Sequence, residues 1–377
     1  MPELVALDVP GGDRFVEVLA RVWDDGDAAA PLDARLAAPA AASVLSTLAP
    51  TAVVDADGVR TPLEGGRPVE VGDAVVLSTS GSTGEPRGVV LTHDALAASA
   101  RATSARLGVD PARDRWLACL PLAHVGGLSV VTRALLTGTG LSVLTGFDAT
   151  IVEGIGRRGE ASHVSLVATA LARIDPSVFR CILLGAAAPP ADRPGNVVTT
   201  YGMTETGSGV VYDGVPLDGV EVAIGTGGEI LVRAPMLLRT YRDGTDPRVP
   251  GPDGAGGWLP TGDGGRWSGD GRLVVDGRLA EVVVTGGEKV WPAAVEQVLS
   301  GHRGVAEVAV WKRPDPEWGE RVVAWVVPTD PADPPSPVEL AESVTAALAP
   351  WAAPKEVVVV PSLPRTSSGK VRRADLR

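Results

Sequence analysis

The 377-residue chain is short of cysteine, of lysine and of long apolar runs. Its two cysteines, Cys119 and Cys181, lie in apolar, strand-like stretches without metal-ligand spacing. That excludes a disulfide scaffold and a zinc module, and leaves buried reduced thiols and a cytoplasmic home as the expectation. No apolar run reaches the ~18 residues of a membrane span. The start, Met1-Pro2-Glu3-Leu4, has neither the basic residues nor the apolar core of a secretory signal. Basic residues number 34 against 46 acidic ones, a net charge of −12. Such a balance argues against a nucleic-acid coat or an anionic-membrane binder. Only Lys289, Lys312, Lys355 and Lys370 are lysines, against 30 arginines, so lysine is a rare choice in this chain. Also missing are the G-x-S-x-G elbow, H-E-x-x-H, C-x-x-C and the Walker phosphate loop.

What remains is a globular chain. Hydrophobic residues make up 45%, enough for large cores. The 46 glycines and 32 prolines are about one residue in five, below the roughly 25–30% of low-complexity chains. At ~100–200 residues per domain, two domains are expected. From residue 74 to about 235, β-rich runs at 74–77, 116–120, 141–144, 162–166, 179–184 and 196–199 alternate with helical stretches. Helices are predicted over 92–107, where Thr92 is a good N-cap, and near 125–137, 148–157 and 168–174. That alternation implies a mostly parallel sheet covered by helices. Residues 219–275 read as a Gly-punctuated β-subdomain. Beyond Asp276-Gly277 come a strand at 281–284, a helix at 292–299, strands at 305–311 and 321–327, and a helix opened by Ser336-Pro337 with Glu339 as its capping-box partner. A strand at 356–360 and a basic tail end the chain. The fold class expected is α/β. A large N-terminal domain of mostly parallel sheets, helices and a small β-subdomain spans 1–277. A small α+β domain spans 278–377.

Gly154-x-Gly156-x-x-Gly159 imitates a dinucleotide fingerprint, but it ends a helical stretch and precedes a strand, the reverse of the real context. His93 and His163 read as a helix-start and a strand-surface residue. The segment from Leu77 to Gly88 (LSTSGSTGEPRG) is different. Five hydroxyl residues and two glycines in positions 77–84 make a donor-rich loop able to wrap a polyphosphate, and Arg87 adds charge. On composition alone a solvent loop fits as well. Likewise, a turn explains Asp263, a helix start explains Glu205, and a core position explains Tyr201. A solvated tail explains Lys370, the usual state of a lysine.

The order of residues discriminates. Residues 77–88 resemble the phosphate-loop signature T-S-G-[ST]-T-G-x-P-[KR]-G of the adenylate-forming superfamily: acyl-CoA synthetases, adenylation domains and luciferases. Further segments resemble its other signatures, in order: LPLAHVGG at 120–127, LGAA at 184–187, YGMTET at 201–206 and TGD at 261–263. Gly277-Arg278 matches the hinge, Gly286-Gly287 the loop beyond it, and LPRTSSGK at 363–370 the terminal catalytic-lysine motif. The resemblance covers residues 74–377.

It implies ATP contacts from Thr79, Ser80, Gly81, Ser82, Thr83, Gly84, Arg87, Gly185, Ala186, Tyr201, Gly202, Thr204, Asp263 and Arg278. It implies Mg²⁺ at Glu205, suited by its hard oxygens. The carboxylate substrate would meet His124, Ser165, Gly202 and Gly207, and coenzyme A would meet Gly286 and Gly287. Lys370, Thr204 and His124 would be catalytic. Lys370 would stabilise charge at the α-phosphate, and a rotation of the C-terminal domain would separate two half-reactions. The expected partners are a carboxylic acid, ATP and CoA, with neither nucleic acid nor membrane; a second copy of the chain is compatible. The trimmed N-terminal region, SLVATAL at 165–171, YGMTET followed by VYDGVPL at 211–217, and Arg133 resemble the 2-succinylbenzoate–CoA ligases of menaquinone synthesis. Other aryl- or short-acyl-CoA ligases, a carrier-loading adenylation enzyme and a non-catalytic adenylate-binding module are the alternatives. Arg87 stands where lysine is usual, Ala280 replaces a polar hinge residue, and the 191–196 segment is short.

Overall fold

The computed structural model describes residues 1–80, 86–185, 193–365 and 371–376, with backbone alone for Ser80 and Ala374. Within it the chain divides into two compact units. The first comprises 1–223, 231–259 and 269–273; the second comprises 224–230, 260–268 and 274–377.

The first unit holds two seven-stranded sheets. One runs in the order Thr240–Tyr241, Pro86–Thr92, Asp73–Ser80, Ala28–Pro31, Leu4–Leu7, Ala52–Val54 and Arg60–Pro62. Four of these strands precede residue 73, where no alternation was predicted. Ala28-Ala29-Ala30-Pro31 has helix-favouring composition, yet it lies fully enclosed and parallel to Leu4–Leu7. Burial between neighbours overrides local propensity there.

The other sheet carries the predicted alternation. Val197–Met203, Cys181–Gly185, His163–Val167, Arg115–Ala118 and Gly140–Val143 are five adjacent parallel strands, in that order. Ser208–Tyr212 adds to the first of these antiparallel. Their apolar runs fit strands buried on both faces. Leu117, Val164, Ile182 and Leu184 pack with Val152 and Ile155 of helix Ala149–Arg157. Each such side chain contributes roughly 1.5–3 kcal/mol on burial. Thr92 caps helix His93–Leu107 by accepting from the Ala95 N–H, and Asp148 caps Ala149–Arg157 through Ile151. The false dinucleotide fingerprint thus lies on a helix end. The predicted 168–174 helix stops at Leu171 and gives way to turns before Pro176. Both cysteines are buried and free, and burial pushes their thiols up to about 12 for Cys119 and about 11 for Cys181. His163, expected at a strand surface, is instead 0% exposed.

Strands Glu221–Ile224, Glu229–Arg233, Leu259–Trp267 and Leu273–Arg278 form the expected small sheet. In the second unit, Val305–Asp315 and Gly319–Pro328 form a hairpin longer than predicted, pairing down to Asp315 opposite Gly319. Helices Pro292–Ser300 and Pro337–Ala347 contribute Val295, Leu299, Leu340 and Val344 to its core. The Ser336–Glu339 capping box forms as predicted, with reciprocal bonds of 3.2 and 3.0 Å. Residues 279–281, at the start of the predicted 281–284 strand, form a 3₁₀ turn containing Ala280, and the strand begins at Val283.

Candidate active site

In the first unit, the predicted residues collect at the carboxyl ends of adjacent parallel strands, where open α/β sheets bind ligands. Ser165 is on His163–Val167, Gly185 ends Cys181–Gly185, and Tyr201 and Gly202 lie near the end of Val197–Met203. A register shift falls between Tyr201 and Gly202. Gly202 has no substitute there: a Cβ would lie 2.2 Å from the Ser208 carbonyl oxygen. The strand runs into a 3₁₀ turn, Thr204–Thr206, which presents Thr204 and Glu205. Thr206 braces the turn: its hydroxyl accepts from the Met203 N–H at 2.9 Å and donates its one proton to the Ser208 carbonyl at 2.7 Å, with the Met203 carbonyl at 2.9 Å. Gly207 ends it in the left-handed conformation, φ 66°.

A second edge meets this turn. Asp73–Ser80 and Pro86–Thr92 are antiparallel partners, with Thr79 opposite Arg87. Thr240–Tyr241 pairs with Val89 and Val90, and Tyr241 then stands between two predicted residues. Its hydroxyl donates to Glu205 Oε1 at 3.1 Å, and the Arg87 guanidinium lies 3.7 Å above its ring centre. A cation at that distance over an aromatic face is held by the ring's negative face. Burial and the Glu205 carboxylate push the Tyr241 phenol up to about 12. Tyr241 was not predicted as a site residue. Its only sequence signal was rarity, as one of three tyrosines. Glu205 satisfies the chemistry of a Mg²⁺ ligand, since Mg²⁺ commonly takes one or two carboxylates plus substrate phosphates. No cluster of three or more metal-binding side chains occurs among the described residues.

His124 is the N-cap residue of helix Val125–Thr137. Its half-exposed ring places Nε2 3.1 Å from Asp33 Oδ2. Further along that helix, Arg133 is 2% exposed. Its guanidinium lies 4.6 Å from the Trp116 ring centre, and Nη2 donates a long 3.4 Å bond to Ser208 Oγ. Nε and Nη1 have no hydrogen-bond partner among the described residues. Burial lowers its pKa below that of an ordinary arginine.

In the second unit, Asp263 and Arg278 are brought together. Asp263 is 7% exposed, and Arg278 Nε donates to its Oδ1 at 3.0 Å while Nη1 donates to the Thr261 carbonyl at 3.1 Å. Thr261 also turns back to accept from the Asp263 N–H at 3.1 Å, fixing the carboxylate's backbone. Gly286 and Gly287 are the two-residue turn between Val283–Thr285 and Glu288–Val290. Their φ values of 60° and 86° are those of a type I′ hairpin, which favours glycine at both positions. Arg365 and Val371 pair across the lysine segment, and Arg373 anchors the tail on Glu296 at 2.9 and 3.0 Å. Gly81, Ser82, Thr83, Gly84, Ala186 and Lys370 lie outside the described residues, as does the Ser80 side chain.

Comparison with known proteins identifies the family. Residues 67–242 match the AMP-binding enzyme family and residues 294–370 the AMP-binding enzyme C-terminal domain. The chain is 41% identical over 327 residues to a probable 2-succinylbenzoate–CoA ligase of Mycobacterium tuberculosis, covering 80% of this chain and 83% of that one. It is 33% identical over 341 residues to a 2-succinylbenzoate–CoA ligase of Bacillus cereus, covering 80% and 69%. The o-succinylbenzoate CoA synthetase of Bacillus subtilis, solved with its acyl-adenylate intermediate OSB-AMP, is similar in structure. Its TM-score is 0.86 at 27% identity, over 100% of this chain and 88% of that one. The same enzyme has been solved with ATP and a magnesium ion, with a TM-score of 0.84 at 27% identity, over 99% of this chain and 89% of that one. Fold, strand-end geometry and these likenesses together make the chain a member of the 2-succinylbenzoate–CoA ligase family of AMP-binding, adenylate-forming enzymes.

Proposed function

We propose that the chain ligates 2-succinylbenzoate to coenzyme A at the expense of ATP, in the cytoplasm, as a step of menaquinone synthesis. The observation that carries the choice of substrate is Arg133. A buried guanidinium with unpartnered nitrogens is costly unless an anion completes it. Activation consumes one carboxylate of 2-succinylbenzoate, and a second remains to pair with a buried cation. A monocarboxylate such as benzoate supplies no such partner. Arg133 shares a helix with His124 and touches Ser208, two residues after Thr206.

The chemistry follows in two steps. A carboxylate oxygen attacks the α-phosphorus of ATP, and the bond to pyrophosphate breaks as the acyl-phosphate bond forms. The CoA sulfur then attacks the acyl carbon, losing its proton as AMP departs. In the first step Thr204 and Arg87 donate to phosphoryl oxygens, and Asp263, held by Arg278, accepts the ribose hydroxyls. Lys370 bridges the attacking carboxylate and the α-phosphate, where a preorganised charge is worth most. Mg²⁺, held through Glu205, supplies charge neutralisation at the phosphates. In the second step Gly286 and Gly287 would be the residues that meet the thiol. Incubation with ATP, Mg²⁺, CoA and 2-succinylbenzoate should yield AMP, pyrophosphate and the CoA thioester in equal amounts. Absence of AMP and thioester under those conditions overturns the reading.

A further inference from the structure

From the first 72 residues, Asp33 reaches a predicted site residue in the rest of the first unit, His124. Asp33 lies in the loop between Ala28–Pro31 and helix Ala38–Leu48. Its side chain is only 10% exposed, although the loop itself is on the surface. Both its oxygens are used. Arg35 Nε and Arg35 N–H donate to Oδ1 at 2.8 and 3.0 Å, and Arg35 Nη2 donates to Oδ2 at 2.7 Å. Oδ2 also faces His124 Nε2 at 3.1 Å, 91 positions along the chain. The hydrogen bonds from Arg35 hold the Asp33 carboxyl down at about 2, so it is ionised wherever the enzyme works.

An ionised carboxylate only accepts hydrogen bonds, so the proton in this contact belongs to His124 Nε2. In the neutral ring, Nδ1 is then the unprotonated nitrogen. The His124 backbone is fixed as well, as its carbonyl accepts the Gly127 and Leu128 N–H groups at 3.1 and 2.9 Å. With the ring edge tied to Asp33, the rotation of an otherwise half-exposed imidazole is set. A carboxylate partner that orients a histidine and chooses its tautomer is a recurring arrangement in functional sites. Asp246 and Arg248 make the same two-pronged pair on an exposed loop, so what sets Asp33 apart is its nearly enclosed carboxylate and its contact with His124.

We propose that Asp33, braced by Arg35, is a positioning residue for His124, so that the loop between Ala28–Pro31 and helix Ala38–Leu48 helps set how the carboxylate substrate is held. This rests on the proposed function and on His124 meeting the carboxylate substrate, as the family resemblance implies.

The test is a double-substitution cycle on the full chain. Pyrophosphate release is followed with varied 2-succinylbenzoate at saturating MgATP, and with varied MgATP at saturating 2-succinylbenzoate. Asp33→Ala should lower kcat/KM for 2-succinylbenzoate roughly two- to 150-fold, the span of coupling between contacting residues. The KM for ATP should stay unchanged. His124→Ala should cost at least as much, and Asp33→Ala should add nothing once His124 is gone. Asp33→Asn, which keeps the shape and one acceptor, should recover part of the loss and serves if Asp33→Ala does not fold. Full additivity of either Asp33 variant with His124→Ala overturns the proposal, as does an equal effect on ATP and on the carboxylate. If His124→Ala alone leaves the carboxylate kinetics untouched, the placement of His124 fails first and the proposal falls with it.

Discussion

Arg133 in the first unit and Arg278 in the second are both arginines beside predicted site residues, and they are held in opposite ways. Arg278 is half exposed and already paired: its Nε meets Asp263 at 3.0 Å. Arg133 is enclosed, stacked on Trp116, and two of its nitrogens have no partner among the described residues. A cation in water needs no anion, so the Arg278 contact orients Asp263 more than it stabilises the fold. A cation in the interior costs several kcal/mol unless an anion arrives, and on the function proposed above that anion is the second carboxylate of the substrate. The Arg278 contact orients a carboxylate of the chain itself, whereas Arg133 is left with nitrogens to pair.

That contrast can be broken at several points. The largest effect is expected outside both arginines: Lys370→Ala should slow adenylation by ~10²–10³ while sparing thioester formation from supplied acyl-adenylate. Single-turnover assays of the two half-reactions separate these, and equal loss in both would remove the role given to Lys370. Asp263→Ala should weaken ATP binding by roughly 1.5–3 kcal/mol, about ten- to hundredfold, with an intact fold. Calorimetric titration with ATP checks this; unchanged affinity, or global unfolding, would make Asp263 a turn residue. Arg133→Met should do the reverse to the fold and stabilise the ligand-free protein by roughly 1–4 kcal/mol, as apolar replacement of buried charge often does. Denaturant unfolding reads that sign directly.

His163 supplies a pH test of the same interior. It is fully enclosed, and its Nδ1 lies 2.8 Å from Ser162 Oγ. Burial lowers its pKa; Asp114 opposes the shift, and Arg180 and Arg133 add to it. Above about pH 6.5 the ring is neutral folded or unfolded, and it contributes no pH dependence. Below that the unfolded chain takes the proton first, so stability falls with pH by up to about 1.4 kcal/mol per unit, until the folded pKa is passed. Thermal unfolding from pH 7.5 to 5.5 should show a shallower fall in His163→Asn than in the parent. The smallest effect is expected at Tyr241→Phe, which keeps the Arg87 stack and loses one hydrogen bond to Glu205. The Mg²⁺ concentration for half-maximal pyrophosphate release should rise roughly two- to tenfold, and Mn²⁺ binding with ATP, followed by electron spin resonance, should weaken in step.

Much of this was legible in the chain. The alternation from residue 74 onward gave the parallel strands, because buried runs and capped helices are written locally. Thr92, Asp148 and Ser336 cap as their types suggest. The motif order located Glu205, Asp263 and the Gly286-Gly287 turn. Contacts made over long separations were not legible. Asp33 and Tyr241 carry no local signal, and each is identified only by the strand or loop that brings it to His124 or to Glu205. The N-terminal strands were missed for a related reason: Ala28–Pro31 is a strand only because of what encloses it. His163 likewise reads as half of an alternating pattern, while parallel neighbours on both sides bury it.

On the proposed function, the enclosed Arg133 makes the enzyme choose a second carboxylate. The direct measurement is kcat/KM for pyrophosphate release with 2-succinylbenzoate and with benzoate, in the parent and in Arg133→Met. The parent should prefer 2-succinylbenzoate, and Arg133→Met should erode that preference by about tenfold or more, the loss of a charge-assisted bond, while leaving benzoate turnover where it was. A preference that survives Arg133→Met intact, or a loss shared equally by both acids, would contradict the account.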